Sequence, residues 1–163
     1  MGLKSGLSWF HSAHTLREAS LSLRRSGQRS GSGPSNQSFM LLGFAFENLL
    51  KAYYVAQNDL HGRMPRLLQS HVLLDLRKLV MSDDPPKPEI NLLGRLTTCV
   101  YWQGRYPVAL IEHHNRKVNF NKDDIKRLDR MWWKYVALMP ESIKIEYQQI
   151  ASTKKFQSLV KST

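Results

Sequence analysis

Apolar residues in this chain recur at intervals of three and four, the spacing of one helical face. Residues 7 to about 25 place Trp9, Ala13, Leu16 and Leu23 near one side, with Arg17, Glu18, Arg24 and Arg25 around the other. Residues 36–58 read as the central helix, because Phe39, Met40, Leu41, Leu42, Phe44, Phe46, Leu49, Leu50, Tyr53, Tyr54 and Val55 leave little polar surface. A helix apolar on most sides is expected among several others. A third helix runs from Ser70, a candidate N-cap, to about Met81, carrying Val72, Leu73, Leu76, Leu79 and Val80. A fourth covers Glu89 to Gln103 with Leu93, Leu96 and Val100 on one face. The last strong pattern, Lys122 to Leu138, lines up Ile125, Leu128, Trp132, Tyr135, Val136 and Met139. Asn121 is its expected cap, and Asp123 and Asp124 suit the positive end of the helix. A short final helix is expected over residues 141–149.

The breaks between these patterns are equally legible. Residues 26–38, SGQRSGSGPSNQS, read as a flexible Gly/Ser loop, and Asp83–Pro88, DDPPKP, as a stop. Gly62 and Pro65 turn the chain after the central helix, residues 104–120 are the least regular interior stretch, and 152–163 read as a frayed tail. No apolar/polar alternation extends beyond a few residues, and no repeat is evident. The expected fold is therefore all-α, a bundle of about five helices in one domain over residues 1–163.

Composition narrows the function classes. The 24 Lys and Arg residues against 13 Asp and Glu give a net charge of +11, which biases the chain toward polyanions. The densest patch, Arg116–Lys134, holds seven basic and three acidic residues, and Arg24, Arg25 and Arg29 form a second group. Both patches equally suit a solvated face. The lone cysteine, Cys99, excludes an internal disulfide and a CxxC metal site, and reads as a buried small residue. His11 and His14 share a helical face but lack further ligands, so they read as surface residues and no metal or cofactor is expected. No phosphate-binding loop, dinucleotide fingerprint or zinc-finger spacing occurs. No segment approaches the roughly 20 apolar residues of a membrane span. The first residues carry no apolar signal core, so a cytoplasmic protein without a membrane partner is expected.

Two segments in order, AFENLLKAYYVAQ (Ala45–Gln57) and SHVLLDL (Ser70–Leu76), resemble the HEPN superfamily (higher eukaryotes and prokaryotes nucleotide-binding). The resemblance rests on Ala45, Glu47, Leu50, Lys51 and Ala52, then His71, Leu73 and Leu76, with the Arg-Tyr-Pro element at Arg105–Pro107. It implies an up-down helical bundle, commonly a homodimer. It also implies one of several activities: a metal-independent endoribonuclease, often a toxin of a toxin–antitoxin pair or a phage-defence effector; an RNA- or nucleotide-binding relative that does not cut; or the partner of a small nucleotidyltransferase. Ribonuclease members carry an Arg, four to six residues, then a His. Here seven residues separate Arg105 from His113 and eight separate it from His114, a departure from that spacing. Four residues separate Arg66 from His71, but His71 stands at the family's helix-opening position.

Cleavage by a 2′-hydroxyl needs a base, an acid and charge stabilisation at phosphorus. Arg105, His113 and His114 are the candidate catalytic residues, since imidazole exchanges protons near neutrality and guanidinium binds phosphate bidentately. Tyr106, Asn115 and Arg116 are candidates for holding the phosphate, and the family geometry implies Glu47 and Lys51 beside them. Blander readings stand alongside. His113 and His114 also suit a solvated turn, Arg105 a helix C-terminal charge, and Glu47 with Lys51 an i,i+4 ion pair that sets helix packing. His71 reads as a hydrogen-bonding residue at a helix start. Trp132 fits the apolar stripe, and Trp133 is the exposed one, suited to base stacking or a dimer contact. A non-catalytic dimerisation or partner-binding module is the alternative to RNA-directed chemistry.

Overall fold

The computed structural model describes residues 6–58, 65–103 and 118–149. Helix α1 spans Gly6–Arg29 and α2 spans Asn36–Gln57. They lie antiparallel. Gly6 packs on Ala52 and Ala56 near the end of α2, and the Ser20 hydroxyl donates to the Ser38 carbonyl at its start (2.7 Å). The helices absorb residues 26–29 and 36–38 of the Gly/Ser stretch, leaving only 30–35 as connection. Gly31 and Gly33 make that short reversal with φ of 74° and 73°, a conformation that side-chain-bearing residues seldom adopt. Ser35 then caps α2 by accepting from the Ser38 N–H (3.2 Å).

No residue of α2 from Ser38 to Ala56 is fully exposed, as its apolar circumference requires. Phe39, Leu42, Phe46, Leu49 and Leu50 are core residues, each burial stabilising by about 1.5–3 kcal/mol. Gly43 marks where a neighbour crosses most closely: a Cβ there would meet Val100 Cγ2 at 2.5 Å. The seam of α1 differs from the expected one. Its buried residues are Gly6, Phe10, Ala13, Arg17, Ser20 and Arg24, in steps of four and three, whereas Leu23 is exposed. Small residues let the two backbones approach, and the arginines bury their stems along the same groove.

A 3₁₀ turn at Arg66–Gln69 precedes α3, Leu73–Val80. That helix starts two residues later than expected, with Val72 and not Ser70 at the cap position. The Ser70 hydroxyl accepts from the Val72 N–H (3.0 Å) in a local turn, and the Leu73 N–H is satisfied by Thr97 Oγ1 of the next helix (3.1 Å). Helix α4 spans Lys87–Thr98, with Pro88 in its first turn, and continues as a π-helical turn over Cys99–Gln103. Helix α5, Lys122–Ala137, opens with a reciprocal capping box: Asn121 Oδ1 accepts from the Asp124 N–H (2.8 Å), and Asp124 Oδ2 accepts from the Asn121 N–H (3.1 Å). Residues 141–149 are helical. The described residues are thus all-helical, with no strand among them and no helix long and apolar enough to cross a membrane.

Candidate functional site

The central helix places Glu47 and Lys51 one turn apart, between Trp9 of α1 and His71 just ahead of α3. Both are buried, and Lys51 Nζ donates to Glu47 Oε1 at 2.6 Å. Lys51 also lies 5.7 Å from the centre of the Trp9 ring on α1. The second carboxylate oxygen, Glu47 Oε2, meets His71 Nδ1 at 2.9 Å. The three side chains form a line: ammonium, carboxylate, imidazole. The first two are sealed, whereas the His71 side chain is 40% exposed. Phe44 and Tyr101 present their rings edge-on to the imidazole, with centroids 6.4 and 5.8 Å away.

In the tautomer that carries its proton on Nδ1, His71 donates to Glu47 Oε2 and turns Nε2 away from the carboxylate. A carboxylate that orients an imidazole in this way is the buried half of many acid–base pairs. His71 was expected to bond at a helix start. It stands two residues ahead of α3 and hydrogen-bonds to Glu47 of α2, while Ser70 and Thr97 satisfy the N–H groups at the opening of α3. Of the expected site residues, the structure brings together Glu47 and Lys51 and adds His71. Arg105, Tyr106, His113, His114, Asn115 and Arg116 lie outside the described residues. The chain enters that stretch from Gln103, two positions beyond the tyrosine that packs on His71.

Sequence reasoning missed a second buried carboxylate system. Arg77 on α3, fully buried, donates from Nε to Glu89 Oε1 (2.9 Å) and from a terminal nitrogen to Asp83 Oδ2 (2.7 Å). The Tyr135 hydroxyl of α5 donates to the same Glu89 oxygen (2.5 Å), and Lys134 Nζ lies 3.3 Å from Glu89 Oε2. Burial opposes the charge of Glu89, but the Tyr135 and Arg77 hydrogen bonds and the Lys134 charge outweigh it and hold the carboxyl below its ordinary range. Burial and the adjacent Glu89 carboxylate push the Tyr135 phenol far up. The partners are 12 and 46 residues from Glu89, so no local spacing announces them. The available signals were an unpaired Arg77 inside an apolar stripe and a Tyr in the core stripe of α5.

Other expectations resolve individually. His14 is not a surface residue. It stacks on Tyr147 (4.3 Å between centroids) and meets Phe10 and Trp132 edge-on. Burial, then the charges of Arg17 and His11, lower its pKa to about 4. Cys99 is buried, which raises its thiol to about 11. Trp132 is buried and Trp133 is 51% exposed. The Arg17 guanidinium sits between them, 5.3 and 5.1 Å from the two ring centres, and pairs with Asp129. Among the described residues no cluster of three or more His, Cys, Asp or Glu is arranged to hold a metal ion. No family model matches the chain, and neither does any curated protein or solved structure.

Proposed function

We propose that this chain is an HEPN-like, RNA-directed helical protein whose working face is centred on His71. The observation that carries the reading is the 2.9 Å contact between Glu47 and His71, which joins the two segments on which the resemblance rests. The imidazole is oriented from behind by a buried carboxylate and open in front, as proton transfer at a ribose hydroxyl requires. The basic balance of the chain supports a polyanionic substrate. Arg105, with His113 or His114, is the proposed source of phosphate binding and of the second proton-transfer group, and Tyr106, Asn115 and Arg116 of further phosphate contacts. Such a reaction needs no metal.

The test is incubation of the purified chain with structured and single-stranded RNA in the presence of a chelator. Binding that weakens steeply with salt, or cleavage lost on Arg105→Ala and on the His113→Ala/His114→Ala double change, is expected. Neither cleavage nor salt-sensitive binding overturns the reading.

One observation favours the alternative, a dimerisation or partner-binding module such as a companion of a nucleotidyltransferase or an antitoxin. Trp133, Leu138 and Ile145 are large apolar residues left exposed on α5 and the segment after it. A homodimer that dissociates on Trp133→Ser, in a chain indifferent to RNA, selects that reading.

A further inference from the structure

Arg24 is a buried arginine that lacks a partner. It is 9% exposed, and its Nε is buried with no hydrogen-bond acceptor. The other buried arginines are provided for. Arg77 has Glu89 and Asp83, and Arg17 has Asp129 and the two tryptophan faces. Asp129 is the carboxylate near Arg24, and Arg17 already engages it. Burying a guanidinium with an unsatisfied N–H and only a shared carboxylate nearby is costly, and an anionic ligand on its open side offsets that cost.

The space beside it is formed. A cleft of about 300 Å³ separates the second half of α1 from the first half of α5, lined by Arg24, Arg25, Gln28, Ile125, Lys126 and Asp129. Here the two basic patches of the sequence, one around Arg24 and one leading to Lys134, face each other. Burial and the repulsion of Arg17 and Arg25 oppose the charge on Arg24, with the attraction of Asp129 acting the other way, so its pKa is lowered. A bound phosphate anion offsets the repulsion among Arg17, Arg24 and Arg25, against the opposing charge of Asp129.

We propose that this cleft binds a phosphoryl group, with the Arg24 guanidinium as the central bidentate donor and Arg25, Lys126 and Gln28 around it. The planar guanidinium fork matches two phosphate oxygens, and the flanking cations match their negative charge. The site stands apart from the His71 cluster and does not depend on the RNA reading. Two sources carry the same chemistry: a free phosphate or mononucleotide, and the phosphodiester backbone of an RNA strand.

The test titrates the full chain with inorganic phosphate, AMP and a short single-stranded RNA at constant ionic strength, followed calorimetrically. Saturable phosphate binding is expected, weakened about tenfold or more by Arg24→Met, the loss of one charge-assisted bidentate contact. Arg25→Gln and Lys126→Gln alter exposed positions and serve if Arg24→Met does not fold. Each is expected to weaken binding about three- to tenfold while helicity is kept. If phosphate and AMP bind but RNA does not, the site is confirmed with a small ligand and the RNA reading fails separately. If RNA binding also drops on Arg24→Met, the backbone is the source. Absent phosphate binding, or binding equal in the wild type and all three variants, overturns the proposal.

Discussion

Glu47 and Glu89 are equally buried, each 4% exposed, yet they anchor opposite kinds of environment. Around Glu89 both oxygens are engaged: Arg77 and Tyr135 share one, Lys134 lies near the other, and Asp83 takes a further nitrogen of Arg77. Around Glu47 one oxygen is sealed by Lys51, and the other points at an imidazole that reaches solvent. The first arrangement ties α3, the turn after it, α4 and α5 together, and both Glu89 oxygens are engaged within it although Glu89 and Lys134 border an open cleft. The second leaves a positioned, solvent-accessible imidazole. Burial of a carboxylate therefore says little about function until its partners are traced to solvent or to closure.

The contrast predicts an order of effects. Glu89→Gln leaves Arg77 with its main counter-charge removed in the core and is expected to destabilise the fold by about 3–5 kcal/mol, read from denaturant midpoints. Glu47→Gln is expected to cost less, about 1–3 kcal/mol, because Lys51 keeps the Trp9 ring beside it. The reverse order breaks the comparison, since Glu47 would then be the structural keystone.

The histidines sharpen it further. His14 has no carboxylate partner among its ring contacts and a pKa lowered to about 4 by burial and by Arg17 and His11. The unfolded chain, with an ordinary histidine near 6.5, binds a proton that the folded chain refuses. Stability from this group is complete above pH about 6.5 and declines as the pH falls toward 4, by about 1–2 kcal/mol after screening by solvent. His14→Phe is expected to flatten that part of the pH–stability curve, and an unchanged slope contradicts the assignment. His71→Asn is expected to have the smallest stability effect, under about 1 kcal/mol, and the largest effect on RNA. Unaltered RNA binding and cleavage in this variant removes His71 from the site.

Much of the fold was readable because helices announce themselves locally. The bounds of α2 and α5 fall within a residue of the expected ones, since an uninterrupted apolar surface and a cap at Asn121 both act over a single turn. The start of α3 was misjudged because its first N–H finds a hydroxyl 24 residues away in Thr97. The Glu47–Lys51 pair was legible for the same local reason, four residues being one helical turn. The addition of His71 was not, and neither was the Arg77–Glu89–Tyr135 network.

What the chain alone determined is the all-helical character, the identity of the central helix and the local ion pair, because each depends on interactions within one or two turns. Only the tertiary structure decided which arginines are buried, that His14 packs among aromatic rings, and that Arg24 lies between α1 and α5 with its Nε lacking a hydrogen-bond acceptor. Those outcomes depend on which helix faces cross, and a side chain's solvation is set by neighbours that sequence distance does not reveal.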